Sequence, residues 1–218
     1  MALGGMGGVG GDGDGPDFAV LAEQARRLVV PGDRRLLGIT GAPGAGKSTL
    51  AEYLAAELGD GCRLVPMDGF HLAQAELERL GRAGRKGAPD TFDAEGYAAL
   101  LRRLRSREDD VVYAPTFDRG IEQPIAGAIP VPRDVPLIIT EGNYLLVDEA
   151  PWAGVGPLLD VVWYLDVDEP VRLDRLVARH VAFGKDPRDA RAWAEGSDQR
   201  NAEVISGTRG LADAVIRL

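Results

Sequence analysis

The chain has 218 residues, 45% hydrophobic and 27% charged, a composition that suits one soluble α/β domain with a full core. A net charge of −9 leaves no basic stripe for a nucleic-acid backbone, and no apolar run approaches the roughly 18 residues of a membrane span. One cysteine, Cys62, and two histidines, His71 and His180, exclude a disulfide framework and a zinc site, and they fit a reducing cytoplasm.

Residues 1–16 are glycine-rich and lack both the basic and the apolar regions of a signal peptide, so they read as a flexible tail before a single domain at 17–218. Phe18, Leu21, Ala22, Ala25, Leu28 and Val29 recur at helical spacing behind a candidate cap, Asp17, and Pro31-Gly32 stops the run. An apolar strand at 36–40 then delivers G-A-P-G-A-G-K-S at 41–48, and a helix is predicted over 48–58. That is the setting of a phosphate-binding loop. Gly41, Ala42, Pro43, Gly44, Ala45, Gly46, Lys47, Ser48 and Thr49 would cradle the phosphates of ATP, with Lys47 on the β and γ groups and the Ser48 hydroxyl on Mg²⁺. The bland alternative is a glycine-rich turn with an incidental Lys-Ser, yet the chain has only three lysines, Lys47, Lys86 and Lys185, among 22 arginines.

A strand predicted at 63–67 ends near Asp68, which would sit at the carboxyl edge of the sheet and orient an acceptor hydroxyl, or merely cap the next turn. The polar segment 69–91 is a candidate ligand-binding loop. His71, Arg85, Lys86 and Phe92 are candidate acceptor contacts, and Phe117 and Arg119 after a short strand pair at 111–113 and 129–131 are others. The last two groups read equally as structural turns, with Asp118 paired to Arg119. A helix is expected at 97–105. The apolar strand 137–140 ends on Glu141, a candidate ligand of Mg²⁺, with Asn143 and Tyr144 facing the acceptor; Tyr144 would otherwise be core. After a strand at 161–165, a helix at 169–183 carries Arg172, Arg175 and Arg179 on one face, a lid whose guanidinium groups, Arg175 and Arg179 foremost, would reach the transferring phosphoryl group or simply be solvated. Lys185 could join them. A helix at 187–205 and a strand at 214–218 complete an α/β doubly wound order, a five-stranded parallel sheet with helices on both faces.

These residues together resemble the phosphate-loop kinases of the phosphoribulokinase, uridine kinase and pantothenate kinase group. The resemblance spans roughly 35–205 and rests on M-D-G-F-H-L, R-K-G-A-P-D-T-F-D, Y-A-P-T-F-D-R, T-E-G-N-Y-L-L and S-D-Q-R-N-A. It is closest to short bacterial members described as nucleoside/nucleotide kinase-like or as fructose-transport kinases. It implies a P-loop NTPase fold, Asp68 as catalytic aspartate, Lys47 and Ser48 as the loop pair, Glu141 as the magnesium-site acid and Arg175 or Arg179 as the lid arginine. Members often dimerise, so a homodimer is allowed. The implied activity is transfer of the ATP γ-phosphoryl group to a hydroxyl of a nucleoside, sugar or pantothenate-like alcohol. The acceptor stays open, because His71 stands where uridine kinases usually carry a tyrosine. A GTPase switch would carry N-K-x-D, which is absent; a regulatory ATPase or a degenerate kinase acting as a sensor is the other alternative, and a degenerate kinase would have lost Lys47, Asp68 or Glu141.

Overall fold

A computed structural model describes residues 17–218; the tail expected at 1–16 lies outside the described residues. Helix α1 (Phe18–Arg26) opens on Asp17, whose carboxylate accepts from the Ala19 amide at 2.8 Å. It ends sooner than its apolar spacing predicts. Leu28 and Val29 bond back only three residues, to Ala25 and Arg26, as the chain tightens toward Pro31. Strand β1 (Arg35–Gly41) then feeds the loop and α2 (Lys47–Leu58).

Strands β2 (Cys62–Leu64), β5 (Leu137–Glu141), β6 (Val161–Asp166) and β7 (Ala214–Arg217) join β1 in one parallel sheet of order β2-β5-β1-β6-β7. Because alternate side chains point to opposite faces, Leu36 and Ile138 enter one core, with Tyr97 and Leu101 of α4 (Ala94–Ser106). Leu37, Ile39 and Ile139 enter the other, beneath α1 and α2. Both faces are therefore covered, which is why these strands read as continuous apolar runs. Among the described residues no helix is long and apolar enough to cross a membrane.

Two elements differ from their expected bounds in ways that shape the site. Strand β2 stops at Leu64 because Pro66 has no amide to donate; Val65 makes the last bond to Ile139, and Asp68 lies on a 3₁₀ turn, Met67–Phe70, beyond the strand end. The short pair expected at 111–113 and 129–131 is a long antiparallel ribbon, β3 (Val111–Asp118) and β4 (Gln123–Pro132), set apart from the main sheet with a register shift between Ala114 and Thr116. Its tip stands over the carboxyl edge of the sheet and carries Phe117 and Arg119 to Asp68.

Candidate active site

The phosphate loop is shaped by backbone that only glycine adopts freely. Gly44 has φ of +84°, and a Cβ there would lie 2.8 Å from the Arg172 carbonyl oxygen and from Leu176 of the helix packed on the loop. Lys47 is 8% exposed, and its ammonium donates to the carbonyls of Gly41 at 2.8 Å and Ala42 at 3.1 Å. Burial lowers its pKa to about 8, against the opposing pull of Glu141. An anion in the loop would supply this ammonium with the counter-charge it lacks.

Glu141 ends β5 beside the start of α2, so the Ser48 hydroxyl donates to its Oε1 at 3.0 Å. The carboxylate is 6% exposed, and burial first, repulsion by Asp68 second, push its pKa up to about 7. Two close approaches bring these groups together. Cβ atoms at Gly69 and Gly142 would stand 2.6 Å from the Pro115 carbonyl oxygen and from Met67, so the ribbon and the β5 turn can close on Asp68 only over glycine. Asp68 itself pairs with Arg119 at 3.0 Å. The bond between Asp118 and Arg119 is not made; Asp118 instead accepts from the amides of Gly120 and Ile121 in the ribbon turn.

Above Asp68 the His71 ring lies 4.0 Å from Phe92 and 4.6 Å from Phe117, centroid to centroid. Its Nδ1 donates to the Asp68 carbonyl at 2.8 Å, which leaves Nε2 as an acceptor, and burial lowers its pKa and keeps the ring neutral. These side chains line a cavity of about 410 Å³ together with Lys47, Ser48, Glu141 and Asn143.

The far wall is α5 (Glu169–Ala182), the expected lid, followed by α6 (Pro187–Trp193), a π turn (Ala194–Asp198) and α7 (Gln199–Ser206). The single helix expected at 187–205 is thus interrupted near Gly196, and the widened turn aims Asp198 and Asn201 into the cavity. Asp198 meets His180 of the lid at 2.8 Å. Sequence reasoning assigned neither residue a role, although S-D-Q-R-N-A stood out as a string and His180 was one of two histidines.

Arg179 lines the cavity, and its surroundings lower its pKa through desolvation and the nearby Arg119. Arg175 does not line it; its guanidinium lies about the loop at Gly46, near Leu218. Arg172 is no part of a solvated face. It is 4% exposed and binds the Pro43 carbonyl and Gln199, so it holds lid to loop. Tyr144 and Arg85 need correction as acceptor contacts. Tyr144 is fully buried against Phe92 and Trp152 and its hydroxyl donates to the Gly87 carbonyl at 2.6 Å; its expected neighbour Asn143 does reach the cavity. Arg85 turns outward to Asp90 at 2.5 Å, while the adjacent Lys86 enters the cavity.

Comparison with known proteins places this geometry among kinases. The family described as an AAA domain matches residues 37–194. The chain is 36% identical over 183 residues to the "putative uridine kinase" C227.14 of Schizosaccharomyces pombe, covering 78% of each chain. It is 38% identical over 152 residues to the ATP-dependent kinase-like protein notR' of Aspergillus versicolor, 66% of this chain and 88% of that one. Its fold is similar to the crystal structure of a "putative fructose transport system kinase" from Silicibacter sp. TM1040, with a TM-score of 0.83, 39% identity, and 92% and 99% of the two chains covered.

Proposed function

We propose that the chain, which belongs to the family described as an AAA domain and is related to a "putative uridine kinase" and a "putative fructose transport system kinase", transfers the γ-phosphoryl group of ATP to a hydroxyl of a small metabolite, a nucleoside, a sugar or a pantothenate-like alcohol. The observation that carries this reading is one cavity lined by Lys47, Ser48, Glu141, Asp68 and Arg179. A regulatory ATPase needs no carboxylate poised beside a second, roomy pocket; a transferase does. A cytoplasmic site of action fits this reading, since ATP is the donor.

Lys47 and the backbone amides of the loop left free at the start of α2 would hold the β and γ phosphates. Ser48 and Glu141 fit a magnesium ion: two hard oxygens 3.0 Å apart at the phosphate loop, for an ion that keeps several waters and needs only one or two protein oxygens. When bound, that ion neutralises charge shared by the β and γ oxygens. Asp68 orients the acceptor hydroxyl and takes its proton late, as the oxygen–phosphorus bond forms and the bond to ADP breaks; an ordinary ionised carboxylate suffices for this order of events. Arg119, paired to Asp68 at 3.0 Å, holds that carboxylate in place until the acceptor arrives. Arg179 steadies the charge on the transferring group, and the lid excludes water that would otherwise compete. Arg175, beside Gly46, takes the nucleotide's side of the loop.

The test is ADP release by the wild type and by Asp68→Asn with ATP, Mg²⁺ and a panel of uridine, cytidine, pantothenate, fructose, ribulose 5-phosphate, glycerate and nicotinamide riboside. Acceptor-dependent turnover that the substitution cuts by about a hundredfold or more supports the reading. Turnover that no acceptor stimulates, or that Asp68→Asn leaves intact, overturns it.

A further inference from the structure

All three lysines and both histidines of the chain line this cavity, but of its 22 arginines only Arg119 and Arg179 do. Lys47 belongs to the phosphate loop. Lys86 and Lys185 are left over, and each ammonium is held on an aromatic face: Lys86 over Phe117 at 5.2 Å, Lys185 over Trp193 at 4.5 Å. They come from different walls. Lys86 stands on the loop beside the ribbon, and Lys185 on the segment after the lid, where Gly184 at φ of +91° turns the chain back.

The charges around them are unevenly matched. Of the four acids that line the cavity, Asp68 pairs with Arg119, Asp198 with His180 and Glu122 with Lys86, and Glu141 accepts from the Ser48 hydroxyl. Lys86 donates to the Glu122 carbonyl at 2.7 Å and meets its half-exposed carboxylate at 3.5 Å, whereas Lys185 has no ion pair among the described residues. A compact ammonium on a flexible stem, resting on a ring and not locked in a carboxylate fork, is a point charge free to meet an incoming anion. The chain as a whole carries −9, so an anionic metabolite needs such a local cationic site to enter at all.

Resting on the kinase reading above, we infer that the phosphoryl acceptor is itself an anion, a carboxylate or phosphate ester that also bears a hydroxyl, gripped between Lys86 and Lys185 while Asp68 meets the hydroxyl. Neutral sugars and nucleosides would leave Lys185 without a counter-charge and Lys86 with only the half-exposed Glu122.

Two measurements test it. In the first, the full chain with Mg²⁺ and a non-hydrolysable ATP analogue is titrated calorimetrically with glycerol, glycerate and glycerol 3-phosphate. One or both anions should bind where glycerol does not, and the two together separate carboxylate from phosphate. Lys86→Met and Lys185→Met should each weaken the anion about tenfold or more, the loss of one charge-assisted contact, while Lys185→Arg retains most of it. Glycerol binding as well as both anions, no binding of any probe, or full binding by the folded methionine variants overturns the inference. In the second, ADP release compares pantothenate with panthenol and ribulose 5-phosphate with ribulose. The methionine variants should raise KM for the anionic member and leave kcat nearly unchanged. Equal kcat/KM for a neutral and an anionic partner would leave the kinase standing and sink the anion site; anion binding with no acceptor turned over would leave the anion site standing and count against the kinase.

Discussion

Replacing Glu141 by glutamine should make the folded protein more stable and the enzyme nearly inactive. The carboxylate is 6% exposed, lies near Asp68, and keeps its proton up to about pH 7 in place of the ordinary 4.5. Its folded-state pKa is thus the higher one, so the folded chain holds a proton that the unfolded chain releases. This contribution to stability is complete below about pH 4.5 and is lost as pH rises through about 7. Fully lost, the gap corresponds to on the order of 3 kcal/mol, net of the attraction to Lys47 that partly offsets it. Glutamine mimics the protonated acid and can still accept from the Ser48 hydroxyl, so Glu141→Gln removes the pH dependence without opening a cavity. Urea melts of both proteins without nucleotide should nearly coincide at pH 4.5, and the variant should be the more stable by up to about 3 kcal/mol at pH 8. ADP release at pH 8 should meanwhile fall about a hundredfold or more, because the proposed magnesium site would lose the Glu141 carboxylate. A stability difference that does not change with pH, or a variant weaker than the wild type at pH 8, would refute the reasoning.

Arg179→Ala should lower kcat about a thousandfold with little change in ATP affinity, whereas Arg175→Ala should mainly raise KM for ATP, since only Arg179 lines the cavity; equal kcat losses would show that the two share one role. Tyr144→Phe should cost about 1–2 kcal/mol in denaturant unfolding, as the Gly87 carbonyl keeps only Asn201 at 3.3 Å, and should leave acceptor KM unchanged. A tenfold rise in KM would restore Tyr144 to the acceptor site. Lys47, held near pKa 8 in the folded chain, should make nucleotide-free stability rise between about pH 8 and 10.5, because there the unfolded chain binds the extra proton. Lys47→Met should abolish that rise.

The phosphate loop was legible because its residues are contiguous and its strand and helix flank it, so spacing alone fixes the geometry. Asp68 and Glu141 could be placed at the sheet's carboxyl edge for a related reason: each follows an apolar strand whose direction the pattern sets. What was hidden depends on backbone detail that composition does not carry. Proline at 66 cut β2 short and moved Asp68 onto a turn, and prolines 115, 124, 130 and 132 with Gly127 masked a long ribbon, a pattern tolerated because the ribbon stands outside the main sheet. The helix arginines shared a face by simple periodicity, yet the lid's packing on Gly44 divides them: Arg172 is buried at the loop, Arg175 lies near Gly46, and Arg179 reaches the cavity. Asp198 and Asn201 were hidden most deeply. A regular helix through 187–205 would rotate them differently, and it is the extra residue of the π turn that brings Asp198 to His180. Phosphate chemistry therefore rests on the part of the chain where local pattern and tertiary structure agree. The proposed acceptor site is built from the ribbon, the π turn and the segment after the lid, where they diverge, and that is why the identity of the acceptor has to be sought in the charges those elements bring together.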